Sequence, residues 1–140
     1  MIQTIYSVAY ILLGVVLTEA VSYFMHRYLF HGILWPIHKS HHIVKSKLWQ
    51  TNDVFSLFFT VVAIVLIRVG VVYENRCLEI GLGITVYGVL YFILHDIYTH
   101  QRFARLETHT KWTRAVRSAH RKHHTSITKH GCEPYGFLWF

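Results

Sequence analysis

The sequence predicts an all-α integral membrane protein: three membrane-crossing helices, with a fourth embedded element left open, and a helical, histidine-rich cap on the cytosolic side. Three observations predict it. Hydrophobic residues make up 53% of the 140 and charged residues only 15%, far from the balance of a small soluble domain. The apolar residues gather in three stretches, 5–25, 54–73 and 78–94, each near the roughly 20 residues that cross a bilayer. All but Arg68 and Arg76 of the 14 Lys and Arg lie in or beside the two regions outside these stretches, 26–53 and 95–140.

The first stretch has no basic segment ahead of it and no small-residue cleavage site, so it reads as a retained anchor rather than a signal peptide. Its one charge, Glu19, lies seven residues before His26, on the same helix face and about 10 Å deeper. A carboxyl group there is costly without a purpose or a partner. Two readings compete: a group that orients a metal-binding imidazole or lines a substrate pocket, and an ion pair with Arg68. The depths do not match for the pair, because Arg68 belongs near the outer face.

Region 26–53 follows, and its charges, with those of 95–140, place both regions in the cytosol by the excess of Lys and Arg on the inner side. The N-terminus then faces out, as does the turn 74–77 between the second and third stretches. That topology puts all 12 histidines on one side, although none of them was used to derive it. In the third stretch, Gly81, Gly83 and Gly88 offer close approach to another helix. The tail mixes basic, helix-forming and apolar residues, the pattern of helices lying at a membrane surface. Cys77 and Cys132 are too few for a disulfide framework, fall on opposite sides and read as free thiols. The whole chain, 1–140, reads as one membrane domain.

Ten histidines form four groups: His26 and His31; His38, His41 and His42; His95 and His100; His120, His123 and His124. In each HxxHH triplet the three imidazoles span about 100° of a helix face, a grip for one metal or for two that share ligands. The HxxxxH pairs lie about 140° apart on a regular helix, so they cannot chelate one ion without distortion. They can flank a dinuclear centre or straddle a helix end. His109 and His130 stand outside the groups and read as surface or packing residues.

Imidazole suits zinc, copper, iron and nickel, and the lack of clustered thiols or carboxylates argues against iron–sulfur, calcium and magnesium sites. A structural zinc closes with four ligands and needs no cage of ten, whereas two redox-active irons with an open position can activate dioxygen. Asp96, directly after His95, is placed to accept an imidazole N–H or to cap the following segment. Tyr87, Tyr91 and Phe92, with Phe24 and Tyr28, supply aromatic surface near the metals, mostly for packing.

The order HxxxxH, HxxHH, HxxxxH, HxxHH resembles the fatty acid hydroxylase superfamily of membrane diiron oxygenases. The stretches TNDVFSLFF, YGVLYFILHD, HQRF, AHRKHH and the late GC-x-x-x-GFL narrow this, being similar to the bacterial β-carotene 3-hydroxylases from Glu19 onward. Residues Glu133, Pro134 and Tyr135 are more polar than that family leads one to expect. The resemblance implies two non-haem irons held by the ten grouped histidines, dioxygen as co-substrate and electrons from a reduced ferredoxin. It also implies hydroxylation at C3 of β-ionone rings, giving β-cryptoxanthin and zeaxanthin, in a bacterial inner membrane.

An apolar substrate dissolved in lipid can reach metals at the cytosolic ends of the spans from the side. The net charge of +7 can steer an acidic electron donor or meet anionic lipid, and no nucleic-acid partner is expected. Two alternatives stand beside this reading. One is a hydroxylase or desaturase of another lipid, such as a sterol or fatty acyl chain, with the same centre. The other is a non-enzymatic membrane zinc protein, disfavoured because transport sites lie near the midplane and these histidines gather at one surface.

Overall fold

The computed structural model describes residues 2–43, 48–108 and 110–140, so His109 lies outside the described residues. The described residues form helices and irregular segments without strands. Helix α1 (Ile2–Phe24) passes into a π-helical segment (Met25–Ile33), which kinks at Gly32 before the short α2 (Trp35–His42). Helix α3 (Asp53–Tyr73) and α4 (Cys77–Tyr91) follow, and α4 passes into a second π-helical segment (Phe92–Thr99). One further helix, α5 (Lys111–His123), lies in the tail.

Three helical stretches, Ile2–Ile33, Asp53–Tyr73 and Cys77–Thr99, are long and apolar enough to cross a membrane. Helices suit that setting because every backbone N–H and C=O finds its partner within the segment. They contain the three stretches expected from the sequence and exceed the first and third, because the π-helical segments extend them past the first histidine of each pair. Their outer faces carry large apolar side chains: Leu57 is 62% exposed and Ile64 61%, which is a surface for lipid rather than for a protein core.

The chain divides into two compact units. The first holds residues 1–20 and 54–89. In it α1 and α4 pack backbone to backbone through glycines. A Cβ on Gly14 would lie 2.7 Å from the Ile80 carbonyl oxygen, and one on Gly83 would collide with the Ile11 carbonyl. Gly81 meets α3 in the same way, at Ile67 and Ala63. Gly88, by contrast, has open space around it, so two of the three glycines singled out in the sequence serve close approach. The Tyr87 hydroxyl donates to a Glu19 carboxylate oxygen at 2.8 Å, and both residues are buried. That bond is the partner that a carboxyl group inside an apolar helix needs. At the other end, Glu79 accepts from Arg76 at 2.7 Å and from Ser7 at 3.0 Å.

The second unit holds residues 21–53 and 90–140, and with them all ten grouped histidines. Its local signals are short-range ones. Pro36 sits in the first turn of α2, where its missing N–H costs nothing. The Thr110 hydroxyl caps α5 by accepting from the Thr113 N–H at 3.1 Å. The buried faces of α2 and α5 are built largely from histidine: His38, His41 and His42 on α2, and His123 beside Thr113 and Val116 on α5.

Candidate metal centre

Two sets of imidazoles converge in the second unit. His26, His31, His38, His42 and His123 each present one ring nitrogen within 4.8 Å of the others, and His41, His100, His120 and His124 form a second such set. His95 adjoins the second set, its Nε2 lying 3.0 Å from that of His41 and its ring 4.5 Å from the His120 ring between centroids. The sets are neighbours: the rings of His42 and His124 stack at 4.4 Å. All ten grouped histidines are therefore brought together, and His130 belongs to neither set.

The backbone explains how the HxxxxH pairs meet. On a regular α-helix residues five apart diverge, but both pairs lie in or at the end of π-helical backbone, where the repeat is i to i+5. The His100 N–H accordingly reaches the His95 carbonyl at 2.9 Å. The ring centroids of His26 and His31 come within 5.1 Å, and those of His95 and His100 within 4.6 Å. The wider turn is the distortion that the spacing demands.

The triplets divide in a regular way. From α2, His38 and His42 enter the first set and His41 the second. From the end of α5, His120 and His124 enter the second and His123 the first. Residues four apart share a set in each case, and the residue between them crosses to the other.

Protonation shows what the sets are built to hold. The Nδ1 atoms of His26, His42 and His123 face the main-chain carbonyls of Tyr135, Ser126 and Cys132, at 2.9, 3.0 and 2.5 Å. Those of His38, His41 and His95 face Asn52 Oδ1, Gln50 Oε1 and Asp96 Oδ1, at 2.7, 2.9 and 3.1 Å. Oxygen atoms of this kind only accept, so each of these rings donates its Nδ1–H and leaves Nε2 with its lone pair, which in His95 faces the Tyr91 hydroxyl as well. Yet the Nε2 atoms face one another: His26 and His38 at 3.1 Å, His38 and His42 at 3.3 Å, His41 and His95 at 3.0 Å. Opposed lone pairs at that distance repel unless a cation sits among them.

Protons are not that cation. Burial holds the imidazoles of His38 and His123 down at about 3 and that of His100 at about 4, and pushes those of His41 and His120 well below the ordinary 6.5. Neutral imidazoles with fixed tautomers and converging lone pairs are the form in which histidine binds a metal. The residues thus fit two adjoining metal ions.

Asp96 accepts from the ring of His95, the residue just before it. Sequence reasoning missed the other holders. Asn52 and Gln50 stand just ahead of α3, in the stretch QTND, where only their proximity to the second triplet hints at a role. The three main-chain carbonyls leave no residue-type signal at all. Tyr91 is more specific than aromatic surface: its ring stacks on His95 at 4.2 Å and its hydroxyl lies 3.0 Å from the His95 Nε2. Phe24 and Tyr28 stack on each other at 6.1 Å and are exposed.

Comparison with known proteins adds to this. The fatty acid hydroxylase family model matches residues 11–140. A β-carotene hydroxylase of Pseudescherichia vulneris is 38% identical over 130 residues, covering 92% of this chain and 74% of its own. A β-carotene hydroxylase of a Paracoccus strain is 39% identical over 127 residues, covering 89% and 78%. A chloroplastic β-carotene 3-hydroxylase of Arabidopsis thaliana is 37% identical over 118 residues, 81% of this chain but 38% of its own. No solved structure matches the chain.

Proposed function

The chain belongs to the fatty acid hydroxylase family, and from that premise we propose that it is a membrane diiron oxygenase that hydroxylates the β-ionone rings of β-carotene at C3. The products are β-cryptoxanthin and then zeaxanthin. Each turn converts a C–H bond, dioxygen, two electrons and two protons into C–OH and water, and a reduced ferredoxin supplies the electrons. The observation that carries this reading is the pair of adjoining imidazole sets with converging Nε2 atoms.

Iron bound there supplies the oxidising power that an unactivated C–H bond requires. The ten grouped histidines are its ligands, His26, His31, His38, His42 and His123 for one ion and His41, His95, His100, His120 and His124 for the other. The chain's own part is to hold and to exclude. Carbonyl and carboxylate acceptors fix six ring orientations before any metal arrives, so little reorganisation accompanies loading. Burial of His38, His41, His95 and His123 keeps water from the ligand atoms. Asp96 orients His95, and Glu19, held by Tyr87, is the second candidate for an orienting role. We place the N-terminus outside the bacterial inner membrane and the metals at the cytoplasmic face, where the basic tail meets its electron donor.

Pigment analysis tests this. A β-carotene-producing bacterium expressing the chain accumulates β-cryptoxanthin and zeaxanthin, and one expressing a variant with His41→Ala and His123→Ala accumulates neither while the protein still inserts in the membrane. Unchanged β-carotene alongside iron-loaded parent protein and a competent donor would overturn the substrate and point to a sterol or fatty acyl chain.

A further inference from the structure

Arg102 follows the second histidine pair by two residues, in the stretch HQRF, and belongs to none of the four histidine groups. Its side chain is 7% exposed, and its guanidinium bridges two carboxylates. One nitrogen donates to Asp53 Oδ1 at 2.9 Å and Asp96 Oδ1 at 3.0 Å. The other donates to Asp53 Oδ2 at 2.8 Å and the Leu48 carbonyl at 3.0 Å. The hold on Asp53 is the two-pronged geometry that arginine makes and lysine cannot.

Both carboxylates lead to the second imidazole set. Asp96 Oδ1 accepts from the His95 ring at 3.1 Å. Asp53 Oδ2 accepts from the Gln50 N–H at 3.1 Å, and the Gln50 side chain accepts from the His41 ring at 2.9 Å. His95 and His41 are the two rings whose Nε2 atoms face each other at 3.0 Å. One guanidinium thus ties both arms of that pair, one from the segment before α3 and one from the second π-helical segment. The first set is built otherwise: His26, His42 and His123 lean on main-chain carbonyls of the tail, and His38 on Asn52.

We propose that Arg102 is a positioning residue for the second metal alone, aiming His95 and His41 through Asp96 and Asp53. The proposal rests on the diiron reading above. It separates two roles that substitution can tell apart. A residue that merely holds the fold would cost both metals together, whereas this network reaches one.

The test uses the full chain in detergent, loaded with ferrous iron without oxygen, and reads iron per chain and the Mössbauer spectrum. Loss of a holder that orients metal ligands weakens affinity by about 10- to 100-fold. Arg102→Gln is therefore expected to hold the first iron with parent-like affinity and spectrum, and the second that much more weakly. Asp53→Asn, which leaves the Asp96 arm in place, is expected to weaken the same iron by a smaller factor. Arg102→Lys keeps the charge but not the fork, and falls between Arg102→Gln and the parent. Two irons bound as in the parent by both Arg102→Gln and Asp53→Asn would overturn the proposal. So would loss of both irons in equal measure in either variant. A parent chain that binds no iron would overturn the diiron reading itself, a result distinct from the others because it precedes any substitution.

Discussion

Tyr91 illustrates how finely the centre is set at the scale of one residue. Its hydroxyl donates toward the His95 Nε2, the atom whose lone pair the proposed second iron would take. A hydrogen bond of this kind contributes about 1 kcal/mol net, so Tyr91→Phe is expected to tighten the second iron about fivefold. Competition with a ferrous chelator measures this, and unchanged or weaker retention would count against it. The sequence made the histidines themselves legible, because four groups with repeated spacing have no structural reason to recur. It also offered Asp96, by adjacency. It could not offer the partners of His26 and His123, since a carbonyl belongs to every residue and that of Tyr135 lies 109 positions from His26.

The helices carry two lessons at the scale of the element. The HxxxxH spacing was readable as a problem for a regular helix, and the two π-helical segments are its physical answer. The location of each extra-wide turn was not readable, because π-helix has no residue preference strong enough to announce it. Glycine was readable only as a candidate: Gly83 touches the α1 backbone while Gly88, five residues on, touches nothing. Gly83→Val should therefore push α1 and α4 apart and destabilise the first unit by about 1–3 kcal/mol, whereas Gly88→Val is expected to be nearly silent. Thermal unfolding of the two variants in the same detergent compares them, and equal midpoints would sink the distinction.

For the whole molecule the governing quantity is the charge state of the buried imidazoles. In the folded chain His38 and His123 stay neutral to about pH 3 and His100 to about pH 4, whereas an unfolded histidine gains its proton near 6.5. The unfolded chain takes up protons first as pH falls, so stability is fully present above about 6.5 and drains away from there toward 4 and below. Iron retention should follow, because protonated imidazole is no ligand. Iron content and thermal midpoint measured from pH 8 to pH 4 are expected to hold steady at first and then decline together. A steady midpoint through pH 4 would contradict the neutral cage. The membrane character was legible from composition and run length alone, since hydrocarbon thickness sets the length of apolar helix required. The division of ten histidines into two sets was not, because it depends on how separate segments come together.

In α2 and at the end of α5, adjacent side chains enter different imidazole sets, His41 beside His42 and His123 beside His124. Within these two triplets the boundary between the sets therefore falls between neighbouring peptide units, whereas each HxxxxH pair stays on one side of it. Moving α2 or the end of α5 as a whole would carry imidazoles of both sets, never those of one alone.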